Sequence, residues 1–260
     1  MTKELELEME TETQSATQCN AALVVGASGG IGAAVLHRYL DDPTFTRVYA
    51  VSRGAQPAES GVVDSRLVWL TSDYSEASVA SIAEQITQHD CQLRRVIICN
   101  GILHNQQVAP EKSLDKVNRD AMHQVFDANV VVPALWVSAL AGRLRRSTGC
   151  VIAALSARVG SISDNRLGGW YSYRSSKAAL NMFLKTAAIE YARRAPRVKL
   201  VAFHPGTTDT ALSQPFQSGV PEGKLFSPAF VAERLCTQLN TMQADGELAF
   251  VDWDARPVPW

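Results

Sequence analysis

The sequence has no excess of charge of either sign and no long apolar run. Its 25 Lys and Arg residues balance 26 Asp and Glu residues, which leaves a formal net charge of −1. Because it contains no block of basic residues, we do not expect a nucleic acid or a membrane surface as a partner. No apolar run approaches the length of about 20 residues that a membrane-spanning helix needs.

The sequence also lacks paired cysteines. The five cysteines are odd in number and widely spaced, and no Cys-x-x-Cys pair occurs. A structural zinc site is therefore not expected, and no other metal is predicted. Reduced thiols in a cytoplasmic protein are the simpler expectation. The cysteines are Cys19, Cys91, Cys99, Cys150 and Cys236.

Residues 1–20 lack the patterns of a targeting segment. Glutamate occurs at every second position from Glu4 to Glu12, whereas a secretory signal needs a basic start and a transit peptide avoids acids. The alternation of Leu5, Leu7 and Met9 with these glutamates is also compatible with a strand. We prefer a disordered acidic leader, because the segment has too few large apolar side chains to offset the entropy of ordering.

From residue 21 onward, short apolar segments alternate with amphipathic ones. Hydrophobic residues make up 46% of the chain, enough for one large core, and no linker or repeat divides it. This alternation predicts a doubly wound α/β fold, with a mainly parallel sheet and helices on both faces, as a single domain over 21–260. The predicted strands are 21–25, 48–51, 67–70, 95–99, 150–155, 198–203 and 248–251, and the predicted helices are 31–40, 79–86, 121–144, 172–193 and 230–239.

A glycine-rich turn follows the first predicted strand. Residues 26–32 are Gly-Ala-Ser-Gly-Gly-Ile-Gly, and the turn leads directly into a predicted helix. Glycines in such a turn let the backbone approach a pyrophosphate, and the free N–H groups of the helix N-terminus favour an anion. A tight turn without a ligand is the alternative interpretation. The predicted cofactor contacts are Gly26, Ser28, Gly30, Ile31 and Gly32.

The second predicted strand ends without an acidic residue. A carboxylate there would bind the adenosine ribose hydroxyls and repel a 2′-phosphate. Instead, Ser52 and Arg53 follow, and the Arg53 guanidinium can form charge-assisted hydrogen bonds to a phosphate. We therefore expect NADP(H) as the cofactor, with Ser52 and Arg53 among its contacts. A solvated loop cation is the alternative for Arg53.

A candidate catalytic group occupies the middle of the chain. Tyr173 and Lys177 are four residues apart in a predicted helix, so both side chains lie on one face. Ser156 follows the fifth predicted strand, and Asn129 lies in the long helix before it. With the glycine spacing Gly-x-x-x-Gly-x-Gly, this order resembles the short-chain dehydrogenase/reductase family over residues 21–251. The resemblance implies a Rossmann-type fold and hydride transfer between NADP(H) and a carbonyl or alcohol.

The resemblance also assigns a role to each member of this group. Tyr173 is the acid/base, Lys177 lowers its pKa and binds the nicotinamide ribose, Ser156 orients the substrate oxygen, and Asn129 holds a water that relays protons. A tyrosine with the ordinary pKa of about 10 needs such help at neutral pH. Each residue also has an ordinary structural interpretation. Tyr171 is a rival for Tyr173, although no Lys follows it at the same distance.

Further cofactor contacts follow from the same resemblance. Asp73 corresponds to an aspartate that contacts the adenine edge, although a turn-forming Asp explains it nearly as well. Asn100 and Gly101 match the family's Asn-Asn-Ala-Gly turn with one residue fewer. His204 is expected to be packed or hydrogen-bonded locally rather than catalytic. The family's Pro-Gly-x-Val-x-Thr segment, which passes under the nicotinamide, corresponds here to contacts from Pro205, Gly206, Thr208 and Thr210.

Within the family, the sequence resembles the C-factor-like and sniffer-like carbonyl reductases. The interval between Ser156 and Tyr173 is a few residues longer than usual, and the chain ends with an Asp-Trp-Asp segment at 252–254. We expect a small-molecule carbonyl or alcohol as substrate, and the resemblance implies a homodimer or homotetramer. The pocket is predicted to involve Leu103, Arg158, the insertion up to Trp170, and a loop at 211–226 with the composition of a mobile lid.

Two other functions are compatible with this fold. A dinucleotide-sensing or signalling protein would keep the glycine turn, but it would not need Asn129, Ser156, Tyr173 and Lys177. A sugar-nucleotide epimerase usually adds a substantial C-terminal substrate domain, which does not fit within this length. An NADP(H)-dependent oxidoreductase is therefore the leading hypothesis, and the sensor is the alternative.

Overall fold

The computed structural model describes residues 19–88 and 91–260. The strands are β1 (Asn20–Val25), β2 (Arg47–Ser52), β3 (Leu67–Thr71), β4 (Gln92–Ile98), β5 (Cys150–Leu155), β6 (Val198–His204), β7 (Thr207–Thr208), β8 (Leu225–Phe226) and β9 (Leu248–Asp252). The α-helices are α1 (Gly30–Asp41), α2 (Glu76–Thr87), α3 (Arg119–Phe126), α4 (Val132–Ala141), α5 (Tyr171–Arg194) and α6 (Pro228–Thr241).

Seven strands form one parallel sheet. Their order is β3-β2-β1-β4-β5-β6-β9, and β7 and β8 pair separately. Side chains alternate along each strand, so Leu23 and Val25 of β1 pack with α2, α4 and α5, whereas Ala22 and Val24 pack with α1 and α6. With helices covering both faces, the strands are almost wholly apolar. The predicted doubly wound α/β fold is confirmed.

The element boundaries differ from the predicted ones by a few residues. β1 begins at Asn20, one residue before the predicted domain start. β4 begins at Gln92 rather than at 95, because its first residues pair with β1. The predicted acidic leader falls largely on residues 1–18, which lie outside the described part of the chain, so its disorder stays a prediction.

The long helix predicted over 121–144 is interrupted. A π-helical turn, Asp127–Val131, separates α3 from α4. Pro133 lies in the first turn of α4, where its missing N–H is tolerated. The irregularity falls instead around Asn129, where π-turns often accompany functional sites.

The segment formed by α3, the π-turn and α4 is apolar. By length and composition alone, Arg119–Ala141 is the one helical stretch among the described residues that is long enough to cross a membrane. A helix in the core of a soluble protein can have the same length and composition. Trp136, Val137 and Leu140 of this stretch are buried in the core against the sheet. These three residues therefore have the contacts of core residues.

Two cysteines are paired in the structure. Cys19 and Cys91 form a disulfide although 72 residues separate them in the sequence. The reason is the strand order, since Cys19 precedes β1 and Cys91 precedes the neighbouring β4, and the Gln92 N–H donates to the Cys19 carbonyl at 2.7 Å. The expectation of five reduced thiols is therefore wrong for this pair.

The other three cysteines are free. Burial raises the pKa of Cys99 and of Cys150 to about 12, so both thiols stay protonated at neutral pH. Cys236 is buried as well. Over the residues that the structure describes, no cluster of three or more His, Cys, Asp or Glu side chains could hold a metal ion.

Candidate active site

One cavity opens at the carboxyl ends of the central strands. Its volume is about 370 Å³, and residues that follow β1, β4, β5 and β6 line it. β1 and β4 are neighbours although β2 and β3 come between them in the sequence. At such a switch point the connections leave the sheet on opposite sides, and the crevice between them is the usual ligand site of doubly wound sheets.

The glycine turn forms one wall of this cavity. Gly26 has a φ of +80°, and a Cβ on Gly32 would lie 2.2 Å from the Gly26 carbonyl oxygen, so no side chain fits there. α1 begins without a side-chain cap and has no acidic residue in its first turn, which leaves its N-terminus available to an anion. Gly30, Ile31 and Gly32 line the cavity, whereas Gly26 and Ser28 belong to the turn but not to the lining.

Ser52 and Arg53 lie where β2 ends. Ser52 is buried, and its hydroxyl donates to the Gly54 carbonyl at 2.6 Å. Arg53 is exposed, and its guanidinium forms no ion pair with any of the described residues. The end of β2 thus presents an uncommitted positive charge.

Asp73, Asn100 and Gly101 follow β3 and β4. The Asp73 carboxylate accepts the Ser75 N–H at 2.8 Å, and hydrogen bonds from Ser75 lower the pKa of Asp73. This geometry agrees with the turn-forming interpretation of Asp73, which does not line the cavity. Asn100 and Gly101 do line it.

Asn129 lies in the π-turn with a fully buried side chain. Its Oδ1 accepts the Ile102 N–H at 2.7 Å, and its Nδ2 donates to the Ile102 carbonyl at 2.9 Å. A further bond of 3.0 Å joins Nδ2 to the Ser176 hydroxyl on α5. Asn129 therefore ties the loop after β4 to α5. The relay of protons stays a proposal.

Tyr173 and Lys177 project from the first turns of α5 into the cavity. The Lys177 Nζ donates to the Leu155 carbonyl at 2.8 Å and lies 5.7 Å from the centre of the Tyr173 ring. Burial raises the pKa of Tyr173 to about 12 and lowers the pKa of Lys177 to about 8. Desolvation of the Tyr173 hydroxyl therefore opposes the lowering of its pKa by Lys177 that the family resemblance implies. Tyr171 does not line the cavity.

Ser156 reaches the same cavity from the end of β5. Its hydroxyl donates to the Asn181 Oδ1 at 2.6 Å. Sequence reasoning missed Asn181, which lies four residues after Lys177 and eight after Tyr173. That spacing places all three residues on one helical face and is the signal that could have revealed it.

The segment after β6 closes the cavity beside the glycine turn. Pro205, Gly206, Thr208 and Thr210 all line it. The Thr208 hydroxyl is buried and has no hydrogen-bond partner within the described chain. His204 also lines the cavity, and burial lowers the pKa of His204 to about 4, so its imidazole is neutral at neutral pH.

Aromatic and aliphatic side chains line the remaining wall. Trp170 packs edge-on against Phe216 with ring centres 5.2 Å apart, and against Tyr173 at 6.2 Å. Leu103 and Val159 complete this part of the lining. We call Leu103, Val159, Trp170 and Phe216 the apolar wall.

Of two predicted parts of the substrate pocket, the structure confirms one and contradicts the other. The loop over 211–226 does contribute to the cavity, and His104 holds it, because its Nε2 lies 3.1 Å from the Leu212 carbonyl oxygen. Arg158 does not line the cavity. Its guanidinium is paired with Asp252 at 3.1 Å and Asp164 at 3.4 Å. The predicted role of Arg158 is therefore wrong.

The sequence of the chain fits a known family. A family model described as short chain dehydrogenase matches residues 20–220. The chain belongs to the short-chain dehydrogenase family. It is therefore an oxidoreductase, and the family predicted from the glycine turn and the Tyr-x-x-x-Lys pair is confirmed.

The matches to three curated relatives of this short-chain dehydrogenase cover most of each relative's length. A 1-hydroxy-2-glutathionyl-2-methyl-3-butene dehydrogenase from Rhodococcus sp. (strain AD45) is 26% identical over 241 residues, 93% of this chain and 100% of the relative. C-signal from Myxococcus xanthus is 30% identical over 148 residues, 57% of this chain and 84% of the relative. A benzil reductase ((S)-benzoin forming) from Bacillus cereus is 24% identical, with 88% of this chain and 98% of the relative covered.

Solved structures share the fold. Carbonyl reductase Sniffer of D. melanogaster has a TM-score of 0.79 at 20% identity, over 94% of this chain and 100% of that one. An NADPH-bound carbonyl reductase from chicken fatty liver has a TM-score of 0.80 at 22% identity, with the same coverage of 94% and 100%. C-signal and Sniffer, which represent the two groups that the sequence resembles, are thus both among the proteins to which this chain is similar.

Proposed function

We propose that this short-chain dehydrogenase transfers a hydride between NADP(H) and a carbonyl or alcohol, with Tyr173 as the acid/base. The observation that carries this proposal is that Ser156, Tyr173 and Lys177 line one cavity, together with the glycine turn. Three polar side chains from β5 and α5 thus face the space where a dinucleotide and a substrate would meet.

The residues around the cavity fit such a cofactor. The uncapped N-terminus of α1 suits a pyrophosphate, and the unpartnered Thr208 hydroxyl is a polar atom that a bound group would satisfy. Arg53 suits a 2′-phosphate, which supports NADP(H). The chicken carbonyl reductase of the same fold is described as NADPH-bound. When bound, the nicotinamide supplies or accepts the hydride.

The protein side chains supply the proton transfer. With a pKa raised to about 12 by burial, Tyr173 is protonated at neutral pH and is ready to donate to a carbonyl oxygen. The Ser156 hydroxyl orients that oxygen and stabilises the charge that develops on it. In the reverse direction Tyr173 must act as phenolate, and the nearby Lys177 ammonium favours that form.

We further propose that the substrate is an uncharged carbonyl compound with an aromatic group. The apolar wall offers edge and face contacts for a ring. Among the described residues that line the cavity, Lys177 is the only Lys, Arg, Asp or Glu, and its ammonium is bonded to Leu155. A substrate carboxylate would therefore have to share this single cation, which the reaction already uses, so an uncharged substrate fits the cavity better. The name of the B. cereus relative, benzil reductase, agrees with this class.

The test follows NADPH absorbance with benzil and related aryl ketones, against matched aryl ketones that carry a carboxylate. We expect turnover of the neutral compounds, and Tyr173→Phe should lower kcat by about 10²- to 10⁴-fold because it removes the proton donor but keeps the ring. Tyr171→Phe, the matched control, should retain activity. Near-full turnover by Tyr173→Phe would refute the assignment of the proton donor.

The sensing alternative predicts a different result. The likeness to C-signal is the observation that favours it. A sensor would bind NADPH tightly yet turn over none of the carbonyl or alcohol compounds, and Tyr173→Phe would change nothing measurable. Turnover that depends on Tyr173 therefore excludes it.

A further inference from the structure

A buried carboxylate contacts the start of the helix that carries Tyr173. Glu111 lies in the segment between β4 and α3 and is only 4% exposed. One carboxylate oxygen accepts the Ser172 hydroxyl, and the other accepts the Ser172 N–H at 3.2 Å. The Glu111 backbone carbonyl accepts the Trp170 N–H at 2.5 Å. Glu111 thus makes three hydrogen bonds to two residues of the α5 start.

These bonds replace a cap that the local sequence does not provide. Helices usually begin with an extended Ser, Thr, Asp or Asn whose side chain accepts an N–H of the first turn. The N-cap position of α5 is Trp170, which has left-handed dihedrals (φ 51°, ψ 45°) and gives no side-chain cap. The first turn of α5 also contains no acidic residue.

Glu111 supplies both missing features from 61 residues away in the sequence. Its carboxylate satisfies a first-turn N–H and places negative charge at the positive end of the helix dipole. Glu111 forms no ion pair with any described residue, so the helix start is the partner that stabilises this buried charge. The bond to the Ser172 hydroxyl completes its hydrogen bonding.

The two residues held by Glu111 lie next to the candidate proton donor. Ser172 precedes Tyr173 directly, and Trp170 contacts the Tyr173 ring and belongs to the apolar wall. We propose that Glu111 is a positioning residue, a remote cap of α5 that holds Tyr173 and Trp170 in place for the reaction. This inference rests on the proposed function of Tyr173.

The experiment compares Glu111→Ala, Glu111→Gln and the control Val108→Ala. Val108 is buried in the same segment and packs with Ala121 and Val125 of α3. Gln can accept the Ser172 N–H with its oxygen and donate to the Ser172 hydroxyl with its nitrogen, whereas Ala leaves both groups without a partner. Benzil is the probe for turnover, and hydrogen exchange of the α5 amides is the readout that needs no substrate.

We expect Glu111→Ala to lower kcat at least about tenfold with little change in NADPH affinity, because a small misplacement of a catalytic group is enough for such a loss. Exchange of the Ser172 to Arg174 amides should speed up, while the amides beyond Lys177 stay protected. Glu111→Gln should restore both readouts towards the wild type, and Val108→Ala should change neither once its stability is accounted for.

The contrary outcomes are distinct. Wild-type kcat and unchanged first-turn exchange in Glu111→Ala would overturn the proposal, and so would a Glu111→Gln variant as impaired as Glu111→Ala. Tyr173→Phe, measured in parallel, distinguishes a failure of the proposed role of Glu111 from a failure of the proposed function. If Tyr173→Phe is inactive while Glu111→Ala is fully active, only the role of Glu111 fails. If Tyr173→Phe is active, the proposed function fails first.

Discussion

At the end of β2, the Arg53 guanidinium has no ion-pair partner among the described residues, and we propose that the choice between NADP(H) and NAD(H) depends on its charge. NADP(H) and NAD(H) differ only in the 2′-phosphate, so a single charge beside that group can decide between them. Arg is suited to this task because its planar guanidinium binds phosphate through two parallel hydrogen bonds. Since no carboxylate competes for Arg53 within the described chain, its charge stays available.

Reversing this charge should reverse or abolish the preference for NADPH. Two unit charges 4 Å apart interact by about 1 kcal/mol in water and about 4 kcal/mol at a protein surface. We therefore expect Arg53→Asp to weaken NADPH binding at least about tenfold, with NADH affected far less. Fluorescence titration of both cofactors checks this. Arg145→Asp, the same charge change at the opposite end of the sheet, is the control, and equal binding of NADH by the wild type would contradict the prediction.

At the scale of elements, the glycine turn and α5 are built by different means. The turn depends on local chemistry, since a side chain at Gly32 would collide with the Gly26 carbonyl. The start of α5 depends on a distant residue, Glu111. A local requirement is visible in a sequence, whereas a distant one becomes visible only when the fold is known.

A substitution in the glycine turn should act on cofactor binding more than on folding. Gly32→Ala forces a shift of the turn because its Cβ would lie 2.2 Å from the Gly26 carbonyl oxygen. The buried strands and helices around it keep their contacts, so we expect the loss of NADPH binding energy to exceed the loss of unfolding free energy. Titration and urea denaturation measure the two quantities. Gly142→Ala, with open space around its Cβ, is the control. Unchanged NADPH affinity in a folded Gly32→Ala protein would refute the assignment.

Local patterns predicted the elements and most candidate site residues, and tertiary contacts account for what they missed. Apolar runs predicted the seven strands of the main sheet but not β7 and β8, and helical spacing placed Tyr173 and Lys177 on one face. The π-turn at Asn129 escaped prediction because it depends on bonds to the loop after β4. The orientation of Arg158 depends on Asp252, which lies 94 residues away. Burial of Tyr173, which raises its pKa, is likewise a property of the folded chain.

At the scale of the whole molecule, the parallel sheet separates the cavity from the disulfide. The carboxyl ends of its strands form the cavity, whereas Cys19 and Cys91 precede β1 and β4 and so lie at the amino ends of these strands. The extent of the domain, 21–260, a homodimer or homotetramer and a cytoplasmic location stay proposals. The mass in solution gives the number of subunits.

The disulfide at the amino ends of β1 and β4 should stabilise the fold without affecting catalysis. Cross-linking residues 72 positions apart restricts the unfolded chain, which by the chain-entropy estimate contributes up to about 4 kcal/mol. We expect Cys19→Ser to lower the free energy of unfolding and to leave kcat unchanged, because the bond lies far from the cavity. Urea denaturation with and without a reducing agent measures the effect. Cys91→Ser should match Cys19→Ser, and the reducing agent should change neither variant. A wild-type protein equally stable in reducing and oxidising buffer would show that the pair contributes nothing to the fold.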